Sequence, residues 1–209
     1  MVEPCRNQVT PGWEATSTSG YRHSMGDVWL VRHGQTEWSR DGRHTGSTDV
    51  PLTADGEAAA RELEPRLAGE SFALVLTSPR ERARRTAELA GFPDAEVDED
   101  LVEWDYGDYE GVTTEEIRET VPGWTVWTHP SPGGETAEEV GARLDRVVSR
   151  CHESSGDVLL VGHGHALRAL AARWLELPVA DGRLLTLDTG TVSVLGHERE
   201  HAAVIRWNA

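Results

Sequence analysis

Two short apolar runs, Val28–Val31 (VWLV) and Val158–Val161 (VLLV), constrain this 209-residue chain more than any other feature. Both are brief and rich in β-formers, the pattern of a buried strand. Each breaks off into glycine and histidine. Arg32-His33-Gly34 follows the first run, and Gly162-His163-Gly164-His165 follows the second, about 130 residues later. Open α/β sheets bind ligands at the carboxyl ends of their strands, so both histidines stand where chemistry is done in such folds. A neutral imidazole can be a nucleophile, and a guanidinium beside it offers a phosphate a planar fork of donors.

From Val28 onward strand and helix patterns alternate, which predicts an α/β fold: a three-layer α/β/α sandwich around a mainly parallel sheet. Thr53 precedes a helix with Ala59, Ala60, Leu63 and Leu67 on one face, which Pro65 should kink or shorten. Phe72–Leu76 reads as a strand, and Ser78 as the cap of a helix carrying Arg82, Ala83, Thr86 and Leu89. A third short strand is expected within Glu96–Val102. Glu103–Gly134 is irregular and holds Trp104, Tyr106, Tyr109, Trp124 and Trp127, long enough for a lid. Thr136 with Glu139 forms a capping-box pattern before a helix burying Val140, Leu144, Val147, Val148 and Cys151. The helix after Gly162 turns Leu167, Leu170, Ala171, Trp174 and Leu175 inward. Leu184–Leu187 and Thr191–Leu195 are expected to pair across an Asp188-Thr189-Gly190 turn, with Val204–Trp207 closing the sheet edge. Residues 1–26, polar and dense in Ser, Thr, Gly and Pro, read as a disordered tail in which Met25 is an alternative start. Residues 27–209 read as a single domain.

A formal charge of −16, from 20 basic and 36 acidic residues, argues against nucleic-acid and anionic-membrane partners. It also means that a phosphate site must be assembled from a few cations gathered locally. No apolar run spans a membrane, and the N-terminal segment lacks the apolar centre of a signal peptide. Cys5 and Cys151 offer no disulfide framework, and a cytoplasmic location is expected.

Four ordered segments, LVRHGQTEWS (30–39), TSPRERARRT (77–86), LVEWDYGDYEG (101–111) and LLVGHGHALRAL (159–170), resemble those of the histidine phosphatase superfamily, which includes the phosphoglycerate mutases. The Gly-x-x-Thr-Gly-x-Thr-Asp-x-Pro-Leu-Thr pattern from Gly42 to Thr53 is similar to small acid phosphatases and enzymes of the sedoheptulose-bisphosphatase type. The resemblance implies a phosphoglycerate mutase-like fold and a phosphomonoesterase that works through a phosphohistidine. It implies His33 as the nucleophile and Glu103 as the group that protonates the leaving oxygen and then activates water. Arg32, Arg82 and His163 are the implied phosphate pocket, while Ser39, Thr45, Gly46, Tyr106 and Gly164 are implied substrate contacts. Many relatives have Asn where this chain has Ser39.

The chemistry agrees. Phosphoryl transfer needs positioning and charge neutralisation, and two arginines both neutralise the dianion and disfavour protonation of His33. An acid among aromatic residues, as at Glu103-Trp104, suits a general acid, because an apolar setting favours the protonated form. Arg80 is the alternative to Arg82, and Asp105 and Asp108 are the alternatives to Glu103. His163-x-His165 invites a metal reading, but alternating strand positions point oppositely and no further ligand cluster is spaced for one. No metal and no cofactor is expected, and His165 is read as supporting its neighbours or lying at the substrate's edge. Trp38, Trp174 and Trp207 are read as packing residues. The expected partner is a small phosphomonoester, with a homodimer left open. A sugar phosphate is favoured over phosphoglycerate because Trp104 and Asp105 follow Glu103 where the mutases carry a basic pair. Mutase action and an inactive phosphate-binding module are the alternatives.

Overall fold

The structure is a computed structural model that describes residues 26–209. The expected tail and the alternative start at Met25 lie outside the described residues, save for Gly26.

Six strands form one sheet: β1 (Val28–Arg32), β2 (Leu74–Thr77), β3 (Glu96–Val97), β4 (Val158–Gly162), β5 (Val192–Glu198) and β6 (His201–Arg206). Their order is β3-β2-β4-β1-β5-β6. The pairings from β3 to β1 are parallel, and β5 and β6 add on antiparallel. β1 and β4 are neighbours, with Arg32 in register with Gly162, so the two histidine turns emerge side by side.

Helices cover both faces, as the alternation along the central strands requires. Val28, Leu30, Leu76, Val158 and Leu160 face a core that includes Val140, Leu144 and Val147 of α5 (Ala137–Glu153) and Leu167, Leu170 and Trp174 of α6 (Gly164–Trp174). Trp29, Val31, Leu159 and Val161 face Leu63 and Leu67 of α2 (Ala54–Leu67) and Ala83 and Ala87 of α3 (Glu81–Leu89). Two short helices complete the set, α1 (Glu37–Arg40) and α4 (Thr114–Thr120). The Thr136–Glu139 capping box is present, and Thr53 caps α2. α2 ends two residues past Pro65, which faces solvent there.

Four expectations change. The third strand is only Glu96–Val97, because the Asp98 side chain accepts from Asp100 N (2.9 Å) and turns the chain into a 3₁₀ turn that buries Leu101. Leu184–Leu187 makes no strand, since β1 and β6 already occupy both edges of β5. That segment crosses the sheet end instead: the Leu187 carbonyl accepts from Arg32, and Gly190 N donates to the Arg32 and His33 carbonyls. Glu103–Gly134 is a packed wall rather than a lid, with Trp104, Tyr106, Trp124 and Trp127 all buried. Ser78 does not cap α3, whose N-cap is Arg80; its hydroxyl turns inward to His163.

Candidate active site

At the carboxyl ends of β1 and β4 lies a cavity of about 200 Å³, lined on one side by Arg32 and His33 and on the other by Glu103 and Tyr106. His33 follows β1 directly, and its backbone N–H donates to the Gly162 carbonyl of β4 (2.9 Å). Its Nδ1 lies 2.7 Å from the Gly34 carbonyl. A carbonyl can only accept, so Nδ1 carries the proton and Nε2 keeps its lone pair. Burial first, then Arg82 and Arg32, hold His33 well below the ordinary imidazole range. Gly34 is required by close approach: a Cβ there would sit 2.4 Å from the Gly56 carbonyl of α2.

Arg32 lines the cavity, with Gly164 leaving room for it: a Cβ on that glycine would meet the guanidinium carbon at 3.2 Å. Arg82 and His163 stand behind His33 rather than in the cavity lining. Arg82 is fully buried; Nε donates to His163 Nδ1 (3.2 Å), Nη1 to Thr48 O (2.9 Å), and Nη2 to Thr45 O (2.9 Å) and Gly46 O (3.1 Å). His163 Nδ1 therefore accepts, leaving Nε2–H to donate to Ser78 Oγ (2.7 Å). Its ring centroid is 5.1 Å from that of His33, and burial with Arg82 pushes it, too, well below the ordinary range. Arg80, the alternative, reaches this network through its backbone N–H, which donates to Ser78 Oγ (3.3 Å), and it does not line the cavity.

Glu103 is buried, and its carboxylate meets a row of backbone donors rather than aromatic faces. Oε1 accepts from Trp104 N (2.9 Å) and Ala166 N (2.8 Å), and Oε2 from His165 N (3.0 Å). Two of these donors are first-turn N–H groups of α6, which have no partner within the helix. Asp105 and Asp108 are exposed and do not line the cavity. Tyr106 Oη lies 2.6 Å from His165 Nδ1; burial, chiefly, holds His165 well below and Tyr106 well above their ordinary values.

The remaining residues singled out in the sequence divide. Thr45 lines the cavity. Gly46 does not; its N–H is held by Glu110 (2.9 Å) and its carbonyl by Arg82. Ser39 is in the lining, yet its hydroxyl donates to Thr36 O (3.0 Å) and accepts from Thr36 N (2.9 Å), so it closes the N-terminus of α1. The structure adds Gly42, Arg43, His44, Thr114 and Arg168 to the lining, where His165, read from the sequence as a supporting or substrate-edge group, also lies. Arg168 carried a readable signal, three residues after His165 and so on the same helix face. Arg43 and His44 carried none, because what fixes them is Gly111 and Val112, 68 residues away. Among the described residues no group of three or more His, Cys, Asp or Glu side chains could hold a metal ion, and no helix is long and apolar enough to cross a membrane.

Known proteins carry the same arrangement of chain. The sequence is 48% identical over 174 residues (81% of this chain, 85% of the relative) to an acid phosphatase of Mycobacterium tuberculosis. It is 39% identical over 183 residues to the sedoheptulose 1,7-bisphosphatase of Saccharomyces cerevisiae (72% and 68%). A solved structure of a Mycobacterium tuberculosis open reading frame superposes with a TM-score of 0.84 at 42% identity, covering 88% of this chain and 97% of that one. A mycobacterial glucosyl-3-phosphoglycerate phosphatase solved with VO3 superposes at 0.79 with 29% identity, covering 88% and 99%. The family match runs over residues 28–209, nearly every residue described, and by it the chain belongs to branch 1 of the histidine phosphatase superfamily, a hydrolase of phosphoric monoesters.

Proposed function

We propose that the chain hydrolyses small phosphorylated sugars by two in-line transfers through a phosphohistidine at His33. The Nδ1–H bond to the Gly34 carbonyl carries this reading, since it leaves Nε2 as the free nucleophilic nitrogen beside Arg32. In the first transfer Nε2 attacks phosphorus while Glu103 protonates the departing alcohol. In the second, Glu103 takes a proton from water as it attacks the phosphohistidine. Arg32 Nε is buried and has no hydrogen-bond partner among the described residues, a donor that a phosphate oxygen satisfies. Arg82 holds the site's positive field from behind, and the ring of His163 is fixed between Arg82 and Ser78. No metal or cofactor is assigned a role.

The rim narrows the substrate. Arg43 and Arg168 both line the cavity, and among the described residues their contacts are to carbonyls and an indole rather than to acids: Arg43 to Gly111 O, Arg168 to Gly182 O and over Trp127 at 4.7 Å. Trp104, one of the two residues that favoured a sugar phosphate in the sequence, is buried and donates to Glu135 O (2.9 Å). This supports a sugar with a second acidic group, a bisphosphate above all, over a singly charged one. The yeast relative, named for sedoheptulose 1,7-bisphosphate, fits that class. The same two cations also suit a phosphoglycerate, the substrate of a mutase. Assay of sugar bisphosphates, sugar monophosphates and 3-phosphoglycerate separates these. The expected result is a kcat/KM at least about tenfold higher for a bisphosphate, lost in Arg168→Ala, consistent with one charge-assisted contact. Faster interconversion of 3- and 2-phosphoglycerate than phosphate release from any sugar would overturn it.

A further inference from the structure

We propose that Arg143 and Glu135 are positioning residues for Glu103, fixing the proton-transferring acid against His33 from outside the cavity. The proposal rests on the reading of Glu103 as the acid and base. Arg143 projects from α5 with its side chain only 7% exposed, and it donates to three carbonyls of the segment that delivers Glu103. Nη1 reaches Asp100 O and Val102 O (2.8 Å each), and Nη2 reaches Glu103 O itself (3.2 Å). Nε and Nη2 also grip Glu135 Oε1 (2.8 Å) and Oε2 (3.0 Å).

Glu135 works on the same segment from its other side. Its Oε2 accepts from Asp105 N (2.9 Å), its carbonyl from Trp104 Nε1 (2.9 Å), and its backbone N–H donates to Asp105 O (3.0 Å). Carbonyls of Asp100, Val102, Glu103 and Asp105 are thus tied down around one residue, with no strand or α-helix to hold them. The carboxylate at the far end is fixed by the α6 backbone. Glu103 is therefore pinned at both ends.

A buried ion pair is a weak device for stability alone, because desolvation offsets its Coulombic gain. Its value here is placement: a shift of about 1 Å in a catalytic group can cost about 100-fold. Such a shift harms only steps in which Glu103 moves a proton. Leaving-group dependence therefore separates positioning from mere support of the fold. Lys at 143 keeps the charge but cannot reproduce the planar fork. Gln at 135 keeps the shape and removes the charge.

The test compares kcat/KM, which reports the steps up to departure of the alcohol, for an alkyl phosphate and for p-nitrophenyl phosphate. In the full chain, Arg143→Lys should lose about 30-fold on the alkyl ester and less than about threefold on the activated ester, with Glu135→Gln following at about tenfold. Added to Glu103→Gln, neither substitution should lower the alkyl rate further. Glu135→Gln reads the same split if Arg143→Lys does not fold. Equal losses on both esters, or losses that add fully to Glu103→Gln, would show that the pair only supports the fold. If Glu103→Gln itself lost both esters equally, the reading of Glu103 would fail first and the positioning role with it.

Discussion

On one wall of the cavity, Arg32 and His33 leave the end of β1 as neighbours, backed by His163 at the adjacent end of β4. On the other, Glu103 rides an irregular segment held by Arg143, by Glu135 and by the first turn of α6. The first wall is rigid because its strands are paired and buried on both faces. The second is rigid only because side chains from distant parts of the chain converge on it. The difference teaches that the proposed nucleophile, placed by a strand end, needs little beyond the strand, whereas the proposed acid, placed by a loop, needs its own fastenings.

The sharpest way to break this comparison is at His33. Replacing it with Ala should lower turnover of an aryl phosphate by at least about 10⁴-fold, since the proposed covalent bond forms on its Nε2. Wild-type protein quenched in denaturant should retain labelled phosphate in an acid-labile, base-stable form. His163→Ala should be impaired yet still become labelled, because its two ring nitrogens are occupied by Arg82 and Ser78. Labelling of the His33→Ala protein at wild-type level would move the nucleophile elsewhere.

How much of each wall was legible in the sequence follows from the same contrast. His33, Arg32 and His163 lie within a few residues of a strand whose pattern is local, so their placement at neighbouring strand ends could be read. Glu103 could be named only by resemblance, and its surroundings were misjudged: Trp104 beside it in sequence points away to Glu135 and Trp127. Ser78 was taken for a cap because its position before α3 allows one, while its partner His163 is 85 residues away. Arg43 and His44 went unseen for the same reason. Leu184–Leu187 reads as a strand from its apolar content, but its expected partner β5 is already paired on both sides, by β1 and β6. Local periodicity carries strands and helices; it carries nothing about which distant carbonyl will receive an arginine.

A pH series sharpens the comparison at lower cost. His33 and His163 on one wall and His165 on the other are all held well below 6.5 by burial. The unfolded chain takes up their protons near pH 6.5 while the folded chain does not, so stability is complete above that pH and falls as the pH drops below it. Each such histidine contributes a slope of up to about 1.4 kcal/mol per pH unit in that window. Urea titrations at pH 7.5, 6 and 5 should show the decline, and His165→Gln should flatten it. Activity should follow the opposite logic: kcat/KM should not fall on acidification near 6.5, because His33 remains neutral there. An acidic limb with its midpoint at or above 6.5 would mean that burial and the arginines do not suppress its protonation.

The smallest expected effect concerns Ser39, which sits at the edge of the His33 wall and tests where the catalytic part of that wall stops. Its hydroxyl has one proton, and Thr36 O receives it at 3.0 Å, while Thr36 N donates back at 2.9 Å. A phosphate oxygen needs that same proton, so the capping role and the substrate contact implied by the family resemblance compete. Thr36 retains its own cap, accepting from Ser39 N at 3.1 Å, which Ala at 39 leaves intact. Ser39→Ala should therefore cost about 0.5–1 kcal/mol of stability and change kcat/KM less than about threefold. Ser39→Asn, carrying the residue of many relatives, offers an N–H₂ group that can reach the cavity, and should match or exceed wild type. A loss beyond about tenfold in Ser39→Ala with unchanged unfolding would give the hydroxyl to the phosphate. The capping box would then open when substrate binds, and the first wall would owe part of its chemistry to a helix terminus as well as to its strands.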